Sequence, residues 1–354
     1  MKIVHVNLGG PPVTVDGIAT VVETLVEAQR RRDDDVETFT DRDYDARGIV
    51  KGIVTALRIR RQVIDGQPDV VHMHSVYRPA HAVLAVFLRR RSVPYVVSPH
   101  SGLAQGSLQR QKWRKRIYIA LFERRLLARA GFVHCLSSVE GDDVRSISSA
   151  ASIVVVPNPG PSSPSLAMDV IKSDHLLTLC RFDVEQKGLD VLVEIARLMP
   201  TTHFRVFGET DINEPARAAA LIASAPSNVS FEAPVRGEAK EIMLRTAQAY
   251  IQPSRWEGQS ISVLEAFAAG VPCIVSRYIA RTLGAELAGL AIVIDDDPSI
   301  AASEIVSSLE DRPKIAARAE QAKDLVLTRY SADTICQELE AAYTGAIGRC
   351  PQKC

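Results

Sequence analysis

Short apolar runs alternate along this chain with longer stretches in which apolar positions recur every three or four residues. Ile3–Val6 leads into Asn7-Leu8-Gly9-Gly10 and then into Val21, Val22, Leu25 and Val26 at helical spacing. Val36–Phe39, a helix around Val54–Ile64 and the run Val70-Val71-His72-Met73-His74 repeat the unit, and strands at Pro94–Ser98, Phe132–Leu136 and Val154–Val156 extend it. The stretch Pro159-Gly160-Pro161-Ser162-Ser163-Pro164 has the composition of a linker. Beyond it the pattern restarts, with strands at Leu176–Cys180, His203–Phe207, Val229–Phe231, Ala249–Gln252, Cys273–Ser276 and Val293-Ile294, and helices at 299–310 and 312–328. Such alternation predicts an α/β fold with parallel sheets and helical crossovers. A chain of 354 residues exceeds one ordinary core. Residues 1–160 and 161–330 therefore read as two Rossmann-like domains, followed by a helix over 331–348 and a tail at 349–354.

The most informative stretch is Ser254 to Pro272, SRWEGQSISVLEAFAAGVP. Pro253-Ser254 breaks a strand, Glu257-Gly258 opens a loop, and a helix must begin by about Ser262, where Ser262 and Glu265 stand at capping-box spacing. Gly270 suits the C′ position and Pro272 forbids continuation. The amides around Ser260, Ile261 and Ser262 then face outward at a helix N-terminus, where a phosphate would sit, between the carboxylates of Glu257 and Glu265. A carboxylate can accept from two neighbouring hydroxyls, so Glu265 suits a ribose diol and Glu257 the hydroxyls of a sugar. The plain alternatives are a capping residue and a solvated loop charge.

Glu257 and Glu265, with seven residues between them, resemble the Glu-x7-Glu signature of retaining GT-B glycosyltransferases, family 4 in particular. A second segment, Arg181-Phe182-Asp183-Val184-Glu185-Gln186-Lys187-Gly188-Leu189-Asp190, resembles that family's Gly-Arg-x-x-x-x-Lys-Gly-x-Asp, with Cys180 where glycine is common. The resemblance implies a GT-B fold, two Rossmann-like domains facing across a cleft, in which the C-terminal domain binds a nucleotide-sugar donor and the N-terminal one an acceptor. It implies retention of anomeric configuration without a protein nucleophile, and a last helix that crosses back to the N-terminal domain. Arg181 and Lys187 would hold the diphosphate, whose negative charge grows as the glycosidic bond breaks. Gly208 and Val235, at strand ends, would line the base and ribose pocket. Gly10 and Gly17 match the glycine-rich loop near the diphosphate and acceptor. His100, in Ser98-Pro99-His100-Ser101-Gly102, resembles the histidine of Ser-Pro-His-Gly that faces the transferred sugar, although Ser101 intervenes here; an ordinary imidazole pKa would suit hydrogen bonding or proton handling there. The chain departs from the family at Pro159, inserted into Pro-Asn-Gly, and over Arg277–Gly284. No cofactor beyond the donor is implied and no metal is required.

Net charge is zero, yet residues 1–165 carry 23 Lys/Arg against 16 Asp/Glu and the remainder 19 against 26. The N-terminal half is thus the one to meet an anionic partner. Residues 109–130, QRQKWRKRIYIALFERRLLARA, hold eight Lys/Arg around Trp113, Ile117, Leu121 and Leu126, a basic amphipathic helix able to lie on an anionic membrane. Met1-Lys2 runs directly into a strand and no apolar run reaches membrane-spanning length, which reads as a cytoplasmic protein with contact at the inner membrane face. The expected partners are a nucleotide sugar and a small-molecule, saccharide or lipid-linked acceptor, with no nucleic acid. Cys135, Cys180, Cys273 and Cys336 fall in apolar patterns and read as buried thiols, whereas Cys350 and Cys354 read as exposed. Three other readings stay open: a metal-dependent hydrolase built on His72, His74 and His100, a GT-B nucleotide-sugar epimerase, and a sugar or nucleotide sensor without turnover.

Overall fold

The computed structural model describes residues 1–8, 17–40, 44, 46, 48–109, 112–161, 173–211 and 214–350, without the side chains of residues 112 and 114. It forms two compact units, Met1–Pro159 with Ala332–Cys354, and Gly160–Ser331.

In the first unit β1 (Lys2–Asn7), β2 (Asp35–Thr40), β3 (Val70–His74), β4 (Tyr95–Ser98), β5 (Phe132–Cys135) and β6 (Ile153–Val155) form one parallel sheet in the order β2-β1-β3-β4-β5-β6. Strand residues alternate between faces. One face, with Val4, Val6, Val71, Met73, Tyr95, Val97 and Val133, packs into the apolar core. The opposite face carries His5 on β1, His72 and His74 on β3, Ser98 on β4 and His134 on β5, all buried. Two helices supply polar partners for this face: Gln29 of Gly17–Arg31 and Tyr343 of Ala332–Arg349, both fully buried. The C-terminal helix is fixed on the first unit by Arg32–Glu340 hydrogen bonds of 2.8 and 2.9 Å and by the Cys336 thiol on the Leu25 carbonyl.

In the second unit β7 (His175–Leu179), β8 (His203–Phe207), β9 (Val229–Glu232), β10 (Ala249–Gln252), β11 (Cys273–Ser276) and β12 (Ile292–Ile294) form a parallel sheet in the order β12-β11-β10-β7-β8-β9. Both faces are apolar. Leu177, Tyr250 and Val275 pack on one side with Val263, Leu264 and Phe267, and Leu176, Ile251 and Ile274 on the other with Leu192 and Ile195. Strand order reverses between β7 and β10, and between β1 and β3 in the first unit. At such a switch point neighbouring crossovers leave in opposite directions and open a crevice at the strands' C-terminal ends.

Several local expectations are corrected. The helix expected at 109–130 runs without a break from Lys112 to Ala128, with a π-helical turn at Ile119–Glu123, after a short helix Gln105–Gln109. Of its expected apolar face only Leu126 is buried, while Trp113, Ile117 and Leu121 are exposed. Arg277–Thr282 is helical, capped by Ser276. Cys180 and Cys350 are half-buried, the Cys350 thiol resting on the Ser92 carbonyl. Gly10, part of the linker and Cys354 lie outside the described residues.

Candidate functional site

In the second unit the loops that leave β7 and β10, neighbours at the switch point, carry Arg181, Lys187 and Glu257. They pack backbone against backbone. Gly188 adopts φ +64°, and a Cβ there would overlap the Pro253 carbonyl, so only glycine lets the two loops close. The Arg255 amide donates to the Gln186 carbonyl, and its guanidinium pairs with both oxygens of Asp190 at 2.7 and 2.8 Å. Gly208, expected to line the base pocket, has a plain packing role: a Cβ would run into the Cys180 carbonyl. Val235 packs partly buried against the core of this unit.

The Lys187 ammonium donates to Glu257 Oε1, and both side chains are mostly buried. Gln186 reaches Glu257 Oε2 at 3.5 Å with its amide and accepts from Arg181 at 3.3 Å, linking the two cations and the carboxylate. Arg181 also lies 3.6 Å from Asp183, and its side chain remains 39% exposed, enough to meet an incoming anion.

The helix after this loop begins at Ile261, and its N-cap is Ser260, whose hydroxyl accepts from the Val263 amide. The capping box expected from Ser262 and Glu265 is therefore not formed. Ser260 and Ser262 can both cap, and register is settled by Gln252 at the end of β10, whose side-chain oxygen accepts from Ser260 at 2.8 Å and Ser262 at 3.3 Å. The amides of Ile261 and Ser262 have no intrahelical acceptor. Glu265 sits in the second turn and pairs with Lys240, a cation that its own Glu-Ala-Lys-Glu helix does nothing to mark out in the sequence. The unit thus gathers Arg181, Lys187, Ser260, Ile261 and Ser262 as donors, and Glu257 and Glu265 as acceptors, on elements that leave two adjacent strands.

In the first unit, Gly17 opens the helix Gly17–Arg31. His100 follows β4 in a left-handed backbone conformation, φ +49°, as does Ser101, φ +61°. Non-glycine residues held there store strain, which is common at functional positions. The buried Glu140 carboxyl holds this loop by accepting from the amides of Ser101 at 2.6 Å and Leu136 at 2.7 Å, and burial pushes its pKa up to about 7. Glu123, likewise raised to about 7 by burial, accepts from the amide of Tyr77, φ +59°, in the loop after β3. Beside that loop a cleft of about 160 Å³ is lined by Gly48, Ile49, Tyr77, Arg78 and Tyr118 among others.

His74 Nδ1 meets His100 Nε2 at 3.0 Å. Burial, with a smaller push from His134, lowers the His100 pKa to about 3, so at neutral pH it is an uncharged hydrogen-bonding group, not the near-neutral titrating one expected. His72 and His74 do not sit at an open strand end. Both are fully buried, with rings stacked 4.2 Å apart, and every ring nitrogen of His5, His72 and His74 already has a protein hydrogen-bond partner.

Both halves of the chain match known proteins. Residues 16–159 match the family described as glycosyl transferase 4-like domain, and residues 173–311 match glycosyl transferases group 1. A phosphatidyl-myo-inositol mannosyltransferase of Mycolicibacterium smegmatis is 25% identical over 314 residues, covering 84% of this chain and 76% of that protein. Sucrose-phosphate synthase of Thermosynechococcus elongatus superposes with a TM-score of 0.79 at 18% identity, covering 97% and 98% of the two chains. Anabaena HepE in complex with UDP and glucose gives 0.75 at 16%, covering 97% and 99%. With glycosyltransferase families matched in both halves and two Rossmann-like sheets of this order, the chain is a GT-B glycosyltransferase.

Proposed function

We propose that the enzyme moves a hexose from a nucleoside-diphosphate donor to a hydroxyl acceptor with retention of configuration, as a family 4 enzyme. The observation that carries this reading is the convergence of Arg181, Lys187 and the Ser260–Ser262 helix start on one switch point. Fixed cations and unpaired amides there stabilise a leaving diphosphate most where its charge develops, without a metal. In this reading Glu265 takes the ribose hydroxyls, Glu257 takes sugar hydroxyls, and the departing phosphate oxygen receives the acceptor proton on the same face. His100 accepts a hydroxyl of the sugar or the acceptor. The donor belongs to the Gly160–Ser331 unit and the acceptor to the other. The relative's name makes mannose donors and inositol-containing lipids the first to try.

The metal-hydrolase reading is disfavoured by the saturated ring nitrogens of His5, His72 and His74, since a metal would have to displace those bonds. The epimerase and sensor readings are separated by product: neither forms a glycosylated acceptor. The decisive screen is thermal stability of the protein against a panel of nucleotide sugars. One donor should raise the melting temperature, and Glu265→Ala and Lys187→Ala should each abolish the rise. An unchanged rise in both variants would remove the proposed donor site.

Membrane contact extends this reading. Trp113, Ile117, Leu121 and Phe122 are exposed beside Arg116, Arg124, Arg125 and Arg129. The helix Ile49–Asp65 likewise exposes Ile49, Val50, Ile53, Val54 and Leu57 beside Lys51, Arg58 and Arg61. Apolar residues flanked by cations suit an anionic leaflet, where each basic residue contributes about 1 kcal/mol. No helix among the described residues is long and apolar enough to cross a membrane.

A further inference from the structure

The polar face of the first sheet holds a file of hydrogen bonds whose direction can be worked out from one end. His134 Nε2 lies 2.8 Å from the Val156 carbonyl oxygen, which can only accept, so Nε2 carries the proton and Nδ1 is bare. Ser98 must then donate to His134 Nδ1 at 2.8 Å, and its oxygen must accept from His72 Nε2 at 2.6 Å. His72 Nδ1 is consequently bare and accepts from the Tyr343 hydroxyl at 2.6 Å. That leaves the Tyr343 oxygen able only to accept.

Gln29 connects this branch to a second one. Its NH2 group makes no hydrogen bond of normal geometry, yet the side chain favours the ionised Tyr343 hydroxyl, against the larger opposing effects of burial and Cys336. The carbonyl end of Gln29 faces His5 Nε2, 2.8 Å away, and the NH2 end is turned to Tyr343. His5 Nε2 donates to it, His5 Nδ1 accepts from His74 Nε2 at 2.9 Å, and His74 Nδ1 accepts from His100 Nε2 at 3.0 Å. Reversing the amide would turn every one of these protons around and set its NH2 against His5, leaving two acceptors, the amide oxygen and Tyr343, facing each other.

We propose that Gln29, His5 and His74 are positioning residues that hold His100 in its Nε2–H tautomer, so that its Nδ1 is presented as a fixed hydrogen-bond acceptor at the C-terminal end of the sheet. Nδ1 has no protein partner among the described residues, and His100 is the member of the file that is partly exposed. A free imidazole interconverts between two tautomers, and in one of them Nδ1 carries a proton and cannot accept from a ligand hydroxyl. The file removes that ambiguity without a carboxylate, the group that usually orients a histidine. Its consequence for transfer rests on the role given to His100 above; the tautomer itself does not.

The test is two-bond proton–nitrogen correlation NMR on full-length protein with 15N-labelled histidine, the His100 signals assigned by loss in His100→Gln. The expected pattern is protonated Nε2 and bare Nδ1 for His100, unchanged across pH 6 to 8. A protonated Nδ1, or a rapid average of both tautomers, would overturn the proposal, and this arm needs no variant of the file to fold. In Gln29→Leu the His100 pattern should become an average and transfer kcat should fall about tenfold at unchanged donor KM; Gln29→Glu, which keeps an acceptor facing His5, should restore the tautomer. An unaltered tautomer in Gln29→Leu would also overturn it. Full transfer by His100→Gln alongside the expected tautomer would instead refute the role of His100 and leave the file intact.

Discussion

Lowering the pH should unfold the first unit well before ordinary acid denaturation. His5, His72, His74, His81 and His134 are each at least 98% buried, and desolvation keeps them neutral: the pKa falls to about 4 for His5 and His134, to about 3 for His81, and well below the usual imidazole range for His72 and His74. A base whose pKa is depressed in the fold contributes stability above its unfolded value, near 6.5, and loses it as pH falls toward the folded value. Glu123 and Glu140 act in the opposite sense. Their pKa is raised to about 7, so the fold holds their protons between about pH 7 and 4.5 where the unfolded chain does not, and they gain stability on acidification. Near pH 7 the two effects almost cancel. At pH 5 the unfolded chain binds nearly five protons on these imidazoles, against fewer than two extra on the carboxyls in the fold. The net uptake of about three protons costs about 4 kcal/mol per pH unit, or about 5 kcal/mol between pH 7 and 5. That matches the whole stability of a marginal domain. Urea titrations followed by tryptophan fluorescence and circular dichroism at half-unit pH steps should show a midpoint that is flat near neutrality and falls steeply below pH 6.5. A midpoint unchanged from pH 7 to 5 would refute the neutral, buried histidine face.

Other consequences follow from close packing and exposure. Gly188→Ala must place a Cβ against the Pro253 carbonyl at φ +64°, and Gly208→Ala against the Cys180 carbonyl, so each should cost about 3 kcal/mol in chemical denaturation. Gly289→Ala, inside a helix with open space around it, should be neutral or stabilise by about 0.5 kcal/mol; equal effects at all three would contradict the loop packing. Replacing Ile117, Leu121 and Val54 together by serine should lower binding to vesicles of anionic lipid at least tenfold in sedimentation, and neutral vesicles should bind neither protein. Undiminished binding would place the membrane surface elsewhere.

Much of the architecture is legible in the sequence because parallel strands buried on both faces read as apolar runs, as in Leu176–Leu179 and Cys273–Ser276. The loops of the candidate site are legible as well, since Arg181, Lys187 and Glu257 lie in the segments that follow such runs. Three features escape a local reading. The start of the helix at Ser260 depends on Gln252, eight residues back and across a loop. The partner of Glu265 is Lys240, on a neighbouring helix whose own pattern is ordinary. The histidine face joins residues up to 271 positions apart, from His72 to Tyr343, so no spacing in the sequence distinguishes His5 or Gln29 from other buried positions. The exposed Trp113, Ile117 and Leu121 show the same limit from the other side, because amphipathic periodicity tells which residues share a face but not what that face meets.

Calorimetric titration with matched nucleoside monophosphates and diphosphates would show whether Arg181, Lys187 and the Ser260–Ser262 helix start hold a diphosphate. The second phosphate should tighten binding by the wild-type enzyme about a hundredfold, and Lys187→Ala and Arg181→Ala should each remove about tenfold or more of that gain while leaving monophosphate affinity nearly unchanged. Equal gains from the second phosphate in all three proteins would contradict a diphosphate site there.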